Sequence, residues 1–250
     1  MNTVTGKMLS GCAFLMLFIT GCGGSSNSSG SDVSTSPTYD TSFANVTWVQ
    51  DFNNVPDVEE YGCGDAPSSS TSTTDTFTFT LTGCTSGTQR QEFKYERRTG
   101  LHSMEGVFRF TGADFTKDNG ISIAQTHDDR TGSDGVFSIY RLHSHSDGSY
   151  SVMPQTDESS YRNFEWATVL PDTDYYMDIQ TWSDGAGSFE RARLWEGDSA
   201  NGALLAEWII NDGSGDDVEQ YKKIGAYALT GAYGELTVYW RNVQLFTGSW

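Results

Sequence analysis

Apolar and polar residues alternate with a period of two along much of this chain, and helical spacing is hard to find. In Thr76-Phe77-Thr78-Phe79-Thr80-Leu81-Thr82, the residues Phe77, Phe79 and Leu81 fall on one face, because successive strand side chains point to opposite sides. Glu235 to Arg241 repeats the pattern with Leu236, Val238 and Trp240 inward. Gly106 to Phe110, Val136 to Arg141 and Tyr176 to Gln180 are further predicted strands. Clusters of Gly, Asp, Asn and Ser at 117–120, 146–148, 183–185 and 212–215 punctuate them as turns. Many short strands with such turns predict an all-β sandwich or jelly roll. The weak helix signal at Asp216 to Tyr221 amounts to a single turn.

One segment breaks the simple alternation. Ile121 and Ile123 share parity with Gln125 and His127, while Ser122, Ala124 and Thr126 take the other face. A strand covered on both faces is one explanation. Gln125-Thr126-His127 places an amide and an imidazole two residues apart, on one side of a strand.

Composition narrows the domain. Lys7 precedes the apolar stretch Ala13 to Ile19, which is too short to span a bilayer and reads as a secretory signal. Ile19-Thr20-Gly21-Cys22 resembles the bacterial lipobox. The resemblance implies a signal peptide over 1–21, cleavage before Cys22 and a lipid anchor on that cysteine. The alternative is an ordinary signal peptide with a chance cysteine. Residues 22–42 are rich in Ser and Gly and read as a flexible tether. Residues 43–250 then form one domain, expected to be monomeric. The expected location is the outer membrane, facing the periplasm or the cell surface. Cys63 and Cys84 remain as an even pair in an exported chain, so a disulfide is expected.

The formal net charge is -18, which argues against nucleic acid as a partner. Its distribution is uneven. Four of the fifteen Lys and Arg residues lie between Arg90 and Arg98, and Lys222 and Lys223 add two more. Positive charge is therefore expected to be focused in one groove of an acidic body. On a strand, Arg90, Glu92, Lys94, Glu96 and Arg98 would share a face, the glutamates holding the cations. A guanidinium binds a carboxylate through two hydrogen bonds. The bland alternative is a solvated edge strand. In the segment from Tyr221 to Tyr227, the residues Tyr221, Lys223, Gly225 and Tyr227 would share one face, with Gly225 leaving room for a substrate.

These three segments occur in the order of three motifs of polysaccharide lyase family 7, the alginate lyases. Arg90-Gln91-Glu92-Phe93-Lys94 resembles Arg-(Ser/Thr)-Glu-(Leu/Val)-Arg, with Lys in the last place. Lys94 to Arg98 is a second possible register. Gln125-Thr126-His127 resembles Gln-(Ile/Val)-His. Tyr221 to Tyr227 resembles Tyr-Phe-Lys-Ala-Gly-(Val/Ile)-Tyr-Asn-Gln, although Ala228-Leu229 replaces the last two positions.

The resemblance implies a concanavalin A-like β-jelly-roll sandwich with a concave substrate groove. It implies β-elimination on an anionic uronic-acid polymer, alginate first. Gln125 and Arg90 or Arg98 would neutralise the carboxylate. Tyr227 would serve as acid, and as base for syn elimination, with His127 as base or neutraliser. Glu92, Lys94, Lys223 and Tyr221 would line the substrate path. No cofactor and no metal are required by this chemistry.

Lyases of ulvan or glucuronan fit the same residues, as does a non-catalytic carbohydrate-binding jelly roll. A glycoside hydrolase of the laminarinase type needs Glu-x-Asp-x-(x)-Glu on a strand, and the chain has no such segment. The pair His143 and His145 precedes an Asp-Gly turn and reads as a surface hairpin. His102 is a weaker groove candidate. Tyr140, Trp182 and Trp195 are expected more often in packing than on sugars.

Overall fold

Strand alternation carries through to the architecture. The computed structural model describes residues 46–51, 56–62, 76–81, 88–112, 120–128, 135–156, 166–184, 187–211, 219–228 and 234–249. The expected signal peptide, Cys22, the expected tether, Cys63 and Cys84 lie outside them. The described strands are β1 (Thr47–Gln50), β2 (Asp57–Gly62), β3 (Thr76–Leu81), β4 (Gln89–Lys94), β5 (His102–Thr111), β6 (Ile121–Asp128) and β7 (Gly135–Ser144). They continue as β8 (Tyr150–Gln155), β9 (Ala167–Val169), β10 (Tyr175–Asp184), β11 (Gly187–Glu196), β12 (Leu204–Asn211), β13 (Gln220–Ala228) and β14 (Leu236–Ser249). Residues 216–218 of the predicted helical turn lie outside the described residues, and from Gln220 onward the segment is strand and not helix, because Gln220 already pairs across to β6. The segment's end, Tyr221, lies in β13.

The strands form two antiparallel sheets. The front sheet runs β2-β4-β13-β6-β7-β8-β9, and the back sheet runs β1-β14-β5-β10-β11-β12, with β3 also pairing β14. Neighbours distant in sequence, such as β4, β13 and β6, make this a jelly-roll sandwich and not a meander. The core lies between the sheets. Phe79, Leu81, Phe108, Phe110, Val238 and Trp240 come from the back, and Phe93, Ile121, Ala124, Ile224 and Ala226 from the front. Phe93 meets Phe77 and Phe79 edge-on, at 4.9 and 5.0 Å between centroids, tying β4 to β3.

β6 explains its own irregular pattern. Opposite β7, its register shifts between Ser122 and Ala124. One extra residue there reverses which face later side chains take. Ile121 and Ala124 both join the core, and Gln125 and His127 line a cleft on the other side of the sheet. Ile139 and Arg141 of β7 line the same cleft, and a second shift, between Thr126 and His127, brings Val136 to it as well. The whole strand is also buried, as a central strand should be.

Candidate active site

The open face of the front sheet holds a cleft of about 270 Å³. β4 contributes Arg90, β6 contributes Gln125 and His127, and β13 contributes Tyr221, Lys223 and Tyr227. β2 adds Glu59, and β7 adds Val136, Ile139 and Arg141. Cross-strand register arranges these residues in rows. One row is Tyr221, His127, Val136. The next is Lys94, Lys223, Gln125, Ile139. Glu59, Glu92 and Gly225 follow. The last is Arg90, Tyr227, Ser122, Arg141.

A hydrogen-bonded chain links the middle of the site. Gln125 donates its amide Nε2 to Glu92 Oε1, so its carbonyl is the acceptor facing His127. His127 Nε2 lies 2.9 Å from Gln125 Oε1 and must carry the proton. In the neutral form of the ring, the lone pair is then on Nδ1. Its ring lies on that of Tyr221, 5.0 Å between centroids and 10° from parallel. Glu92 is fully buried, with Arg90 Nε 3.2 Å from its Oε2. Burial pushes its carboxyl up to about 7, against the charges of Lys223 and Arg90 and the Gln125 hydrogen bond.

Cations cluster around these groups. The Arg90 guanidinium lies 4.2 Å from the Tyr227 ring centroid. Lys94 Nζ stands 4.4 Å from the ring centroid of Tyr221. Glu59 accepts from Lys223 Nζ at 2.6 Å.

Gly225 is what lets β13 pass β4 so closely. Its φ is +150°, and an added Cβ would lie 2.7 Å from Glu92 Cα and closer still to Gln91 O. Gly225→Ala is therefore expected to cost about 3 kcal/mol or more. Urea unfolding of the two proteins checks this, and a loss under 1 kcal/mol would remove the steric argument.

Several predicted groups are placed elsewhere. The charged strand ends at Lys94, so Glu96 and Arg98 do not continue its face. Arg98 is bound to Asp51 at 2.8 Å and to Glu96 at 3.0 Å, beside Gln220, and is not among the residues that line the cleft. Lys222, counted above with the groove cations, points between the sheets to Glu190, at 3.2 Å. His102 is buried against Thr181 Oγ1 at 2.9 Å and does not line the groove. Burial pushes its imidazole down to about 3. His143 is buried too, edge-on to Trp166, and is not a surface residue. Among the described residues, no cluster of three or more His, Cys, Asp or Glu is placed to hold a metal ion.

Glu59 and Arg141 were not foreseen. Neither sits in a motif, and only the order β2-β4-β13-β6-β7 brings them to the cleft. The expected partners His127 and Tyr227 line one cleft. His127 stands opposite Tyr221 and Tyr227 opposite Ser122, with a register shift on β13 between Ile224 and Tyr227.

Fold and site together define an all-β jelly-roll sandwich with a charged, polar groove on one sheet. No family model and no curated protein sequence matches the chain. Among solved structures it is similar to the marine PL7 alginate lyase AlyA1 from Zobellia galactanivorans, with a TM-score of 0.52, 15% identity, and coverage of 78% of this chain and 96% of that one. It is also similar to family 7 alginate lyase A1-II′ in complex with a substrate, with a TM-score of 0.50, 14% identity, and coverage of 74% and 83%. Peanut lectin aligns more loosely, with a TM-score of 0.42 and 9% identity over 82% of this chain and 97% of that one. Identities this low establish a shared fold and nothing finer.

Proposed function

We propose that this protein is a polysaccharide lyase that cleaves a uronic-acid polymer, alginate first, by β-elimination. The observation that carries the reading is the convergence of Arg90, Gln125, His127, Lys223 and Tyr227, from three motif-like segments, on one cleft. A carbohydrate-binding sandwich needs a groove, but has no use for an imidazole of fixed tautomer or for a phenol beside a guanidinium.

The reaction removes the weakly acidic proton next to the uronate carboxylate and expels the glycosidic oxygen. Cations that neutralise the carboxylate stabilise the enolate-like intermediate. The row Arg90, Tyr227, Ser122, Arg141 supplies both needs. The guanidinium neutralises the carboxylate and stabilises charge developing on the Tyr227 phenol. Tyr227 takes the proton and returns one to the leaving oxygen, which is syn elimination by a single residue. The row of His127 and Tyr221 lies farther along β13 and receives an adjoining sugar, with Lys223 and Gln125 between the two rows. Gln125 acts here by fixing His127, because its amide already serves Glu92 and the imidazole. Export and anchoring through Cys22 suit a polymer too large to enter a cell.

The test is a substrate panel. The protein is incubated with polyguluronate, polymannuronate, glucuronan and ulvan, and the ultraviolet absorbance of the unsaturated uronyl product is followed. Activity on a polymer of mannuronate or guluronate is expected. Silence on every polyuronate sinks the lyase reading.

A further inference from the structure

Glu59 sits where the proposed chemistry wants a substrate. Its carboxylate is held by three cations: Lys223 Nζ at 2.6 Å, Arg90 Nη1 at 3.3 Å and Lys94 Nζ at 3.6 Å. These come from two neighbouring strands, β4 and β13, and two of them line the cleft with Glu59 itself. One carboxylate does not need three cations. A uronate carboxylate has the same two oxygens and the same reach.

We propose that Glu59 occupies, in the free protein, the place of a substrate carboxylate, and that it sets affinity by competing with the polymer for Arg90, Lys94 and Lys223. The inference rests on the polyuronate reading and names the carboxylate subsite within it. Three features support displacement. Among the described strands, β2 is the edge of its sheet and pairs with β4 alone, so Glu59 can turn outward without breaking a second described ladder. Its side chain is 27% exposed while that of Lys223 is only 4% exposed, so the acid lies at the mouth and the ammonium at the floor. Glu59 also stands directly opposite the buried Glu92 across β2 and β4, and the two like charges disfavour each other.

Competition of this kind persists at neutral pH. Burial pushes the Glu59 carboxyl up, but the hydrogen bond from Lys223 and the charges of Lys223, Lys94 and Arg90 outweigh it and hold it below the ordinary carboxylate value. The opposing idea is that Glu59 merely holds the cations in position for the substrate. The two ideas differ in sign.

The intact protein and its Glu59→Gln and Glu59→Ala variants are compared on polymannuronate, polyguluronate and glucuronan. KM comes from product absorbance, and Kd from equilibrium binding at about 20 and about 200 mM NaCl. Thermal melts confirm that each variant is folded. Competition predicts KM and Kd about tenfold lower in Glu59→Gln, with a steeper loss of binding at high salt. Glu59→Ala should move the same way. If the parent cleaves a polyuronate and both folded variants bind it equally or more weakly, Glu59 is a positioning group and the inference falls. If neither parent nor variants bind or cleave any of the polymers, the polyuronate reading itself has failed.

Discussion

Glu190→Ala is expected to cost about 3–5 kcal/mol of stability. For a domain of this size that corresponds to a melting temperature lower by roughly 10 °C. Glu190 sits on β11 in the back sheet and is completely buried. Its carboxylate accepts from Thr126 Oγ1 and Ser138 Oγ, both at 2.5 Å, and from the Tyr140 hydroxyl. Lys222 Nζ lies 3.2 Å away and also donates to Thr126 Oγ1 at 2.9 Å. Alanine would strand an ammonium and three hydroxyls away from water, where each unsatisfied group carries its full desolvation cost. Burial already pushes the Lys222 ammonium down from its ordinary value, against the charge and hydrogen bond of Glu190.

The network also concerns the site. Thr126 lies between Gln125 and His127, Lys222 between Tyr221 and Lys223, and Tyr140 between Ile139 and Arg141. One carboxylate of the back sheet thus grips β6, β7 and β13 from beneath the cleft. Charge removal in pairs separates this pinning from simple desolvation. Lys222→Met with Glu190→Leu should be far less damaging than Glu190→Ala, because no buried charge is left alone. Thermal melts of the single and double variants measure the coupling. A loss below about 1 kcal/mol for Glu190→Ala would mean that water reaches these groups.

The strand content was legible because half-buried strands write their burial into alternation. Phe79 and Leu81, Val238 and Trp240 all point inward as read. Residues inside motifs reached the cleft because each motif lies on one strand with the right parity, as in Tyr221, Lys223 and Tyr227. Glu59 and Arg141 were hidden for a physical reason. Their place depends on which strands become neighbours, and β13 slots between β4 and β6 from far away in the sequence. Charge misled the expectation at Lys222. A lysine beside a groove lysine is expected to face water, yet alternation sends Lys222 inward, and its counter-charge comes from the opposite sheet. The irregular parity of β6 was visible in sequence, but the register shift behind it needs β7 alongside.

Tyr227→Phe and His127→Ala are each expected to lose at least about a hundredfold in kcat/KM on the preferred polyuronate. They should lose it in different ways. Phenylalanine keeps the ring under the Arg90 guanidinium, 4.2 Å away, and removes only the hydroxyl. If Tyr227 carries the proton in both directions, kcat collapses while KM stays near the parent value, since binding is untouched. His127 is six residues of β13 away from that position, measured at its partner Tyr221. Removing its ring takes away the stacking surface of Tyr221 and the acceptor-donor contact with Gln125. The loss should therefore appear in KM as well as kcat, and Tyr221→Phe, which keeps the stacked ring, should be much milder. Steady-state kinetics on purified, folded variants give the split. An equal loss of kcat with unchanged KM in both variants would place the two residues on one proton transfer. The rows that stand apart along β13 would then have to meet around the bound sugar.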